Sequence, residues 1–146
     1  MNNTLQESNI ILNVASEDKQ SAIRRVGNKL VENGYVEAPY VEGMFAREES
    51  MTTYIGNGVA IPHSMPEYVQ HIVKSGIVLA QYPDGVDFGN GNVAYLVIGI
   101  AGKGEEHMEV LSSIAIVCSE QENVDKLVHA TTASEVIEVI SQGESL

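Results

Sequence analysis

The sequence predicts an α/β domain with a mixed sheet held between helical layers. Three observations carry this prediction. Compact apolar runs at residues 77–82 and 93–100 read as buried strands, amphipathic segments of helical period precede and follow them, and no internal repeat or low-complexity linker interrupts the order. At 146 residues and 44% hydrophobic content, the chain is long enough for one substantial core, so a single domain over residues 1–146 is expected.

Residues 10–14 form a short strand or apolar lead-in. Ser16, Glu17 and Asp18 then suit a helix N-terminus, and Ala22, Ile23, Val26, Leu30 and Val31 recur at helical spacing until Gly34 stops the helix. Pro39 opens a second helix in whose first turn its missing N–H costs nothing. Val41, Met44 and Phe45 give that helix a partial apolar stripe, and Arg47 falls near its C-terminal end. Gly56 and Gly58 frame the apolar residues 59–61, which end abruptly at Pro62, so His63 is placed at a strand end or in the loop beyond.

The strand at 77–82 is bounded by Pro83-Asp84-Gly85 and the one at 93–100 is preceded by the turn residues Gly89-Asn90-Gly91-Asn92. The glycines and acidic residues of 99–106 open a further helix with Met108, Leu111, Ala115 and Cys118 on a shared face and His107 in its first turn. Val124, Leu127 and Val128 indicate a short helix. Thr132 and Glu135 form a capping box ahead of Val136, Ile137, Val139 and Ile140.

Charge and composition remove several function classes. A net charge of −12 and a pI near 4.5 repel nucleic-acid phosphates and anionic lipid. Cys118 is the lone cysteine, no signal-peptide pattern opens the chain, and the longest apolar run is far below the about 20 residues that span a bilayer, so a cytoplasmic protein without direct membrane insertion is expected. In so acidic a chain, any phosphate chemistry depends on a few placed donors.

Of the four histidines, His63 is singled out by Pro62 and by its place beyond a strand end, where α/β folds carry their sites. His107 follows Gly102-Lys103-Gly104 at a helix start, where free N–H groups and the helix dipole favour an anion; a capped helix start explains the same spacing equally well. Arg47 has a guanidinium suited to a phosphoryl group, and a solvated ion pair with Glu42, Glu48 or Glu49 is its plainer reading. Cys118 reads as a core thiol, and His71 and His129 as surface or structural residues. A metal-hydrolase reading, with His63 and His107 helped by Glu106, lacks both H-x-x-x-H spacing and a third ligand in register.

The segment Thr53-Tyr-Ile-Gly-Asn-Gly-Val-Ala-Ile-Pro-His63, with Phe45-Ala-Arg-Glu48 before it and Gly99-Ile-Ala-Gly-Lys-Gly-Glu-Glu-His107 after it, resembles the mannitol and fructose class of phosphotransferase-system enzyme IIA domains. The resemblance spans nearly the whole chain. Tyr54 and the run from Asp84 to Gly89 are closer to mannitol-type members. The resemblance implies a three-layer α/β/α sandwich, with His63 as phosphoryl acceptor, His107 as its partner histidine and Arg47 as the phosphate-stabilising arginine. It further implies the carrier HPr as donor, a cysteine of a separate mannitol-type enzyme IIB as recipient, and a transient phosphohistidine without metal or cofactor. The alternative is a regulatory phosphoprotein of the nitrogen branch. Ser64 departs from the family, which often has glycine there; its hydroxyl can donate a hydrogen bond to the phosphoryl group, or its backbone is simply less free. An apolar rim is expected around a phosphohistidine that must be kept from water, from Met65, Met44 and Ile61 unless these are core.

Overall fold

In the computed structural model, which describes residues 5–144, five strands form one mixed sheet with helices on both faces. The chain order is β1 (Ile10–Ile11), α1 (Lys19–Glu32), α2 (Pro39–Ser50), β2 (Tyr54–Gly56), β3 (Val59–Ala60), β4 (Gly76–Gly89), β5 (Asn92–Ala101), α3 (Glu106–Cys118), α4 (Gln121–His129) and α5 (Ala133–Glu144). Across the sheet the order is β1-β4-β5-β3-β2. β1 runs parallel to β4 and β3 parallel to β5, while the β4–β5 and β2–β3 pairs are antiparallel hairpins. The predicted three-layer α/β/α arrangement is observed.

The two faces explain why the long strands read as continuous apolar runs. In β4, Val78, Ala80 and Tyr82 join a core with Ala22, Ile23, Val26 and Leu30 of α1. Ile77 and Leu79 point the other way, into a core with Val110, Ile114 and Val117 of α3, Leu127 of α4 and Val136 and Ile140 of α5. A strand covered on both sides loses the alternation that marks a half-exposed one. Gly99 lets α1 approach β5, since a Cβ there would stand 3.0 Å from Val26 Cβ.

The helix ends follow the sequence signals. Asp18 caps α1 by accepting from Ser21 N–H at 2.7 Å. Thr132 accepts from Glu135 N–H at 3.2 Å, and the Glu135 carboxylate reaches back to Thr131 N–H, one residue before the expected partner.

Two expectations are corrected and one strand is added. Pro83-Asp84-Gly85 does not end the strand: β4 runs through it as a bulge, with a register shift between Gln81 and Val86, where the missing proline N–H breaks no regular ladder. β2 was not foreseen; it pairs with β3 across Asn57-Gly58, both with positive φ, the backbone of a two-residue hairpin turn. The buried face of α3 is Val110, Ile114, Val117 and Cys118, while Met108 is exposed. This helix is apolar on most sides, so two stripes have helical spacing and contact with α5 and the sheet selects between them. Cys118 is core, and burial pushes its thiol up to about 12.

Candidate active site

β3 and β5 are parallel, so their carboxyl ends lie side by side. The pairing continues past the end of β3, with Ile100 N–H of β5 donating to Pro62 C=O at 2.9 Å. One chain leaves this edge through Pro62 to His63; the other leaves through Gly102 and Gly104 to His107 in the first turn of α3. The two half-buried imidazoles meet with ring centroids 5.8 Å apart and planes tilted by 59°. Residues 44 positions apart in sequence are thus brought together at the position α/β sheets reserve for ligands.

Gly102 permits this approach. A Cβ on it would stand 2.3 Å from His107 Cα and 2.9 Å from His107 N, backbone atoms that cannot move aside. Gly102→Ala is therefore expected to cost about 3 kcal/mol and to lower the melting temperature by roughly 10 °C. A thermal unfolding curve within experimental error of the wild type would contradict this.

His63 is oriented by its own neighbourhood. Its Nδ1 lies 2.8 Å from the Ile61 carbonyl, which can only accept, so Nδ1 carries the proton and the Nε2 lone pair is left free. Burial holds His63 below the ordinary histidine value of 6.5; the Ile61 bond acts in the opposite direction, and the nearby charges of Arg47 and His107 lower it further. The arrangement is a neutral imidazole with an unprotonated nitrogen, the form of a nucleophile.

Arg47 occupies the last turn of α2 and donates to Met51 C=O. Among the described residues it makes no ion pair within 4.0 Å, so the solvated pairing with Glu42, Glu48 or Glu49 is not formed. Glu106 is engaged by Ser75 Oγ at 2.6 Å, and among the described residues no three His, Cys, Asp or Glu side chains gather as metal ligands. His71 pairs with Glu37 at 3.0 Å, and His129 Nδ1–H donates within its own helix to Asp125 C=O at 2.8 Å.

Ser64 Oγ is buried without a hydrogen-bond partner and packs on α2, where a Cβ on Gly43 would come within 1.8 Å of it. Met44 and Ile61 are core residues. Met65 is half-buried and, with Val69, Ile72 and His107, lines a groove of about 270 Å³ beside the histidines.

Sequence reasoning missed several supports. Tyr40 donates to Ile100 C=O at 2.7 Å and accepts from Ser64 N–H at 3.3 Å, tying α2 to both chain exits, and burial pushes its phenol up to about 12. Glu48 and Thr53 are buried and bonded to each other. An aromatic in a helix's first turn, or a glutamate in a run of charges, has no signature that reveals such roles.

The family described as phosphoenolpyruvate-dependent sugar phosphotransferase system, EIIA 2, matches residues 3–143. The mannitol-specific phosphotransferase enzyme IIA component of Geobacillus stearothermophilus is 50% identical over 138 residues, covering 94% of this chain and 95% of the relative. The fold superposes with a TM-score of 0.89 on a chain of the complex of enzyme IIA-mannitol and phosphorylated enzyme IIB-mannitol from Escherichia coli, at 38% identity over 94% of this chain and 97% of that one. The crystal structure of IIA-mannitol from the same organism gives a TM-score of 0.87 at 39% identity, covering 93% of this chain and 98% of that chain.

Proposed function

The chain belongs to the EIIA 2 family of the phosphoenolpyruvate-dependent sugar phosphotransferase system, and from that membership we propose that it is a mannitol-specific enzyme IIA. In this reading it accepts a phosphoryl group on His63 from phospho-HPr and delivers it to a cysteine of a mannitol-type enzyme IIB. The observation that carries the site assignment is the free Nε2 of His63, with Nδ1–H committed to Ile61 and His107 beside it. The mannitol branch is supported by the 50% identity to a mannitol-specific relative and by the likeness to a IIA bound to phosphorylated IIB.

The neutral Nε2 attacks phosphorus in line while the donor imidazole leaves. Arg47 and His107 supply hydrogen bonds to the equatorial oxygens as charge builds on them. The product is a transient phosphohistidine, and no metal or cofactor enters the transfer. A cytoplasmic location follows from the same reading; among the described residues no helix is long and apolar enough to cross a membrane.

The test is labelling with phosphate passed from phosphoenolpyruvate through enzyme I and HPr, followed by addition of a mannitol-type enzyme IIB. Stoichiometric labelling that this enzyme IIB discharges is expected. Label that no sugar-specific enzyme IIB removes would favour a regulatory phosphoprotein, and absence of label would overturn the carrier assignment.

A pH dependence follows from the depressed His63 value. Acceptance needs the neutral ring, so the acid limb of the labelling rate is expected below 6.5. The linkage to folding has the same sign. The unfolded chain takes up the His63 proton first as pH falls, so this contribution to stability is present above the unfolded value and lost as pH drops towards the folded one. An acid limb centred above 6.5 would contradict it.

A further inference from the structure

Glu48 is the one charged side chain buried among the described residues. Its Oε1 accepts twice from Thr53, from N–H at 2.8 Å and from the hydroxyl at 2.6 Å. Its Oε2 has no hydrogen-bond partner, and Lys19 Nζ stands 3.6 Å from it. Anchoring Thr53 alone would be served by a neutral acceptor, because the desolvation of a buried carboxylate is offset only in part by an ion pair with a partly exposed lysine that makes no hydrogen bond to it. The charge therefore calls for a role of its own.

The hydrogen bonds lead from Glu48 to the site. Thr53 C=O accepts from Ile61 N–H at 3.0 Å, and Ile61 C=O accepts from His63 Nδ1–H at 2.8 Å. Each bond in such a series polarises the next. Glu48 also lies close enough to His63 to favour its cationic ring, against the effect of Arg47 and His107.

We propose that Glu48 is a positioning residue for His63: through Thr53 and Ile61 its carboxylate holds the ring as the Nδ1–H tautomer, and its charge steadies the cationic ring formed on phosphoryl transfer. The second half rests on the carrier reading above; the first does not. In the transfer step the Nε2–P bond forms as the P–N bond to the donor histidine breaks. The bonding pair returns to the donor ring, and the Nδ1 proton of His63 stays in place. The ring of His63 thereby gains positive charge while still donating to Ile61, where the nearby negative charge acts on it.

The experiment compares Glu48→Gln, Thr53→Val and Thr53→Ser with the wild type by nitrogen-15 NMR of the His63 ring, by the labelling rate from phospho-HPr, and by its acid limb. Glutamine keeps an acceptor for Thr53 without the charge, so labelling is expected to slow about tenfold and the acid limb to move to lower pH. Thr53→Val is expected to bring the two ring-nitrogen shifts closer together as the tautomers mix, and Thr53→Ser to restore their separation. Ring shifts and acid limbs unchanged in folded Glu48→Gln and Thr53→Val, with any rate loss following thermal stability alone, would overturn the proposal. The ring shifts are read on unphosphorylated protein. A wild type that is never labelled would sink the carrier reading, while the shifts would still decide whether Glu48 orients His63.

Discussion

His63→Ala is expected to reduce labelling from phospho-HPr to background, a loss of at least about 10⁴-fold, with the fold retained. The size of the effect follows from covalent catalysis, since in the proposed carrier role the group removed is the one that bonds to phosphorus. His107 does not replace it, because its ring centroid stands 5.8 Å away on another element, outside the Nδ1 bond to Ile61 that prepares His63. The fold should survive because His63 is half-buried in a loop and contributes its neutral form to no core cluster. Circular dichroism and the melting temperature check the fold, and radiolabel per chain checks acceptance. Stoichiometric label on the alanine variant, on His107 or elsewhere, would refute the assignment of His63.

Arg47→Met is expected to slow labelling by roughly 10² to 10³-fold, the range for losing one preorganised charged donor, without abolishing it. Methionine keeps much of the side chain's length and apolar stem but donates nothing. Arg47→Lys should recover only part of the rate, since an ammonium lacks the planar fork that meets two phosphoryl oxygens at once. The variant also has a signature separate from rate. Arg47 holds His63 down by its charge, so its removal raises the His63 value and moves the acid limb towards higher pH, opposite in direction to Glu48→Gln. Loss of the donation to Met51 C=O at the end of α2 should cost about 1 kcal/mol of stability. A methionine variant labelled at the wild-type rate would remove Arg47 from the transfer machinery.

The helices were legible because their information is local. Asp18 before an apolar stripe, Pro39 in a first turn and the Thr132–Glu135 pair each act within four residues, and the structure places α1, α2 and α5 accordingly. The long strands were legible through apolar runs too continuous for a surface element. β2 was not, because its three residues are too short to show a period; the only local sign was Asn57-Gly58, whose twin Asn90-Gly91 closes the β4–β5 hairpin. The bulge at Pro83-Asp84-Gly85 reads locally as a stop, and only pairing with β5 carries the strand through it.

For the site, the amino-acid order alone determined which groups are present and where each stands on its own element. Pro62-His63 leaves a strand end, His107 starts a helix and Arg47 ends one, because turn residues and helix caps act at short range. The meeting of His63 with His107 was decided only by the parallel pairing of β3 with β5, a long-range contact whose register depends on both cores forming at once. The same holds for the Glu48, Thr53, Ile61 and His63 series and for Tyr40 across Ser64 and Ile100. A buried carboxylate is stable only where the folded backbone brings donors to it, and no spacing in the chain announces that environment.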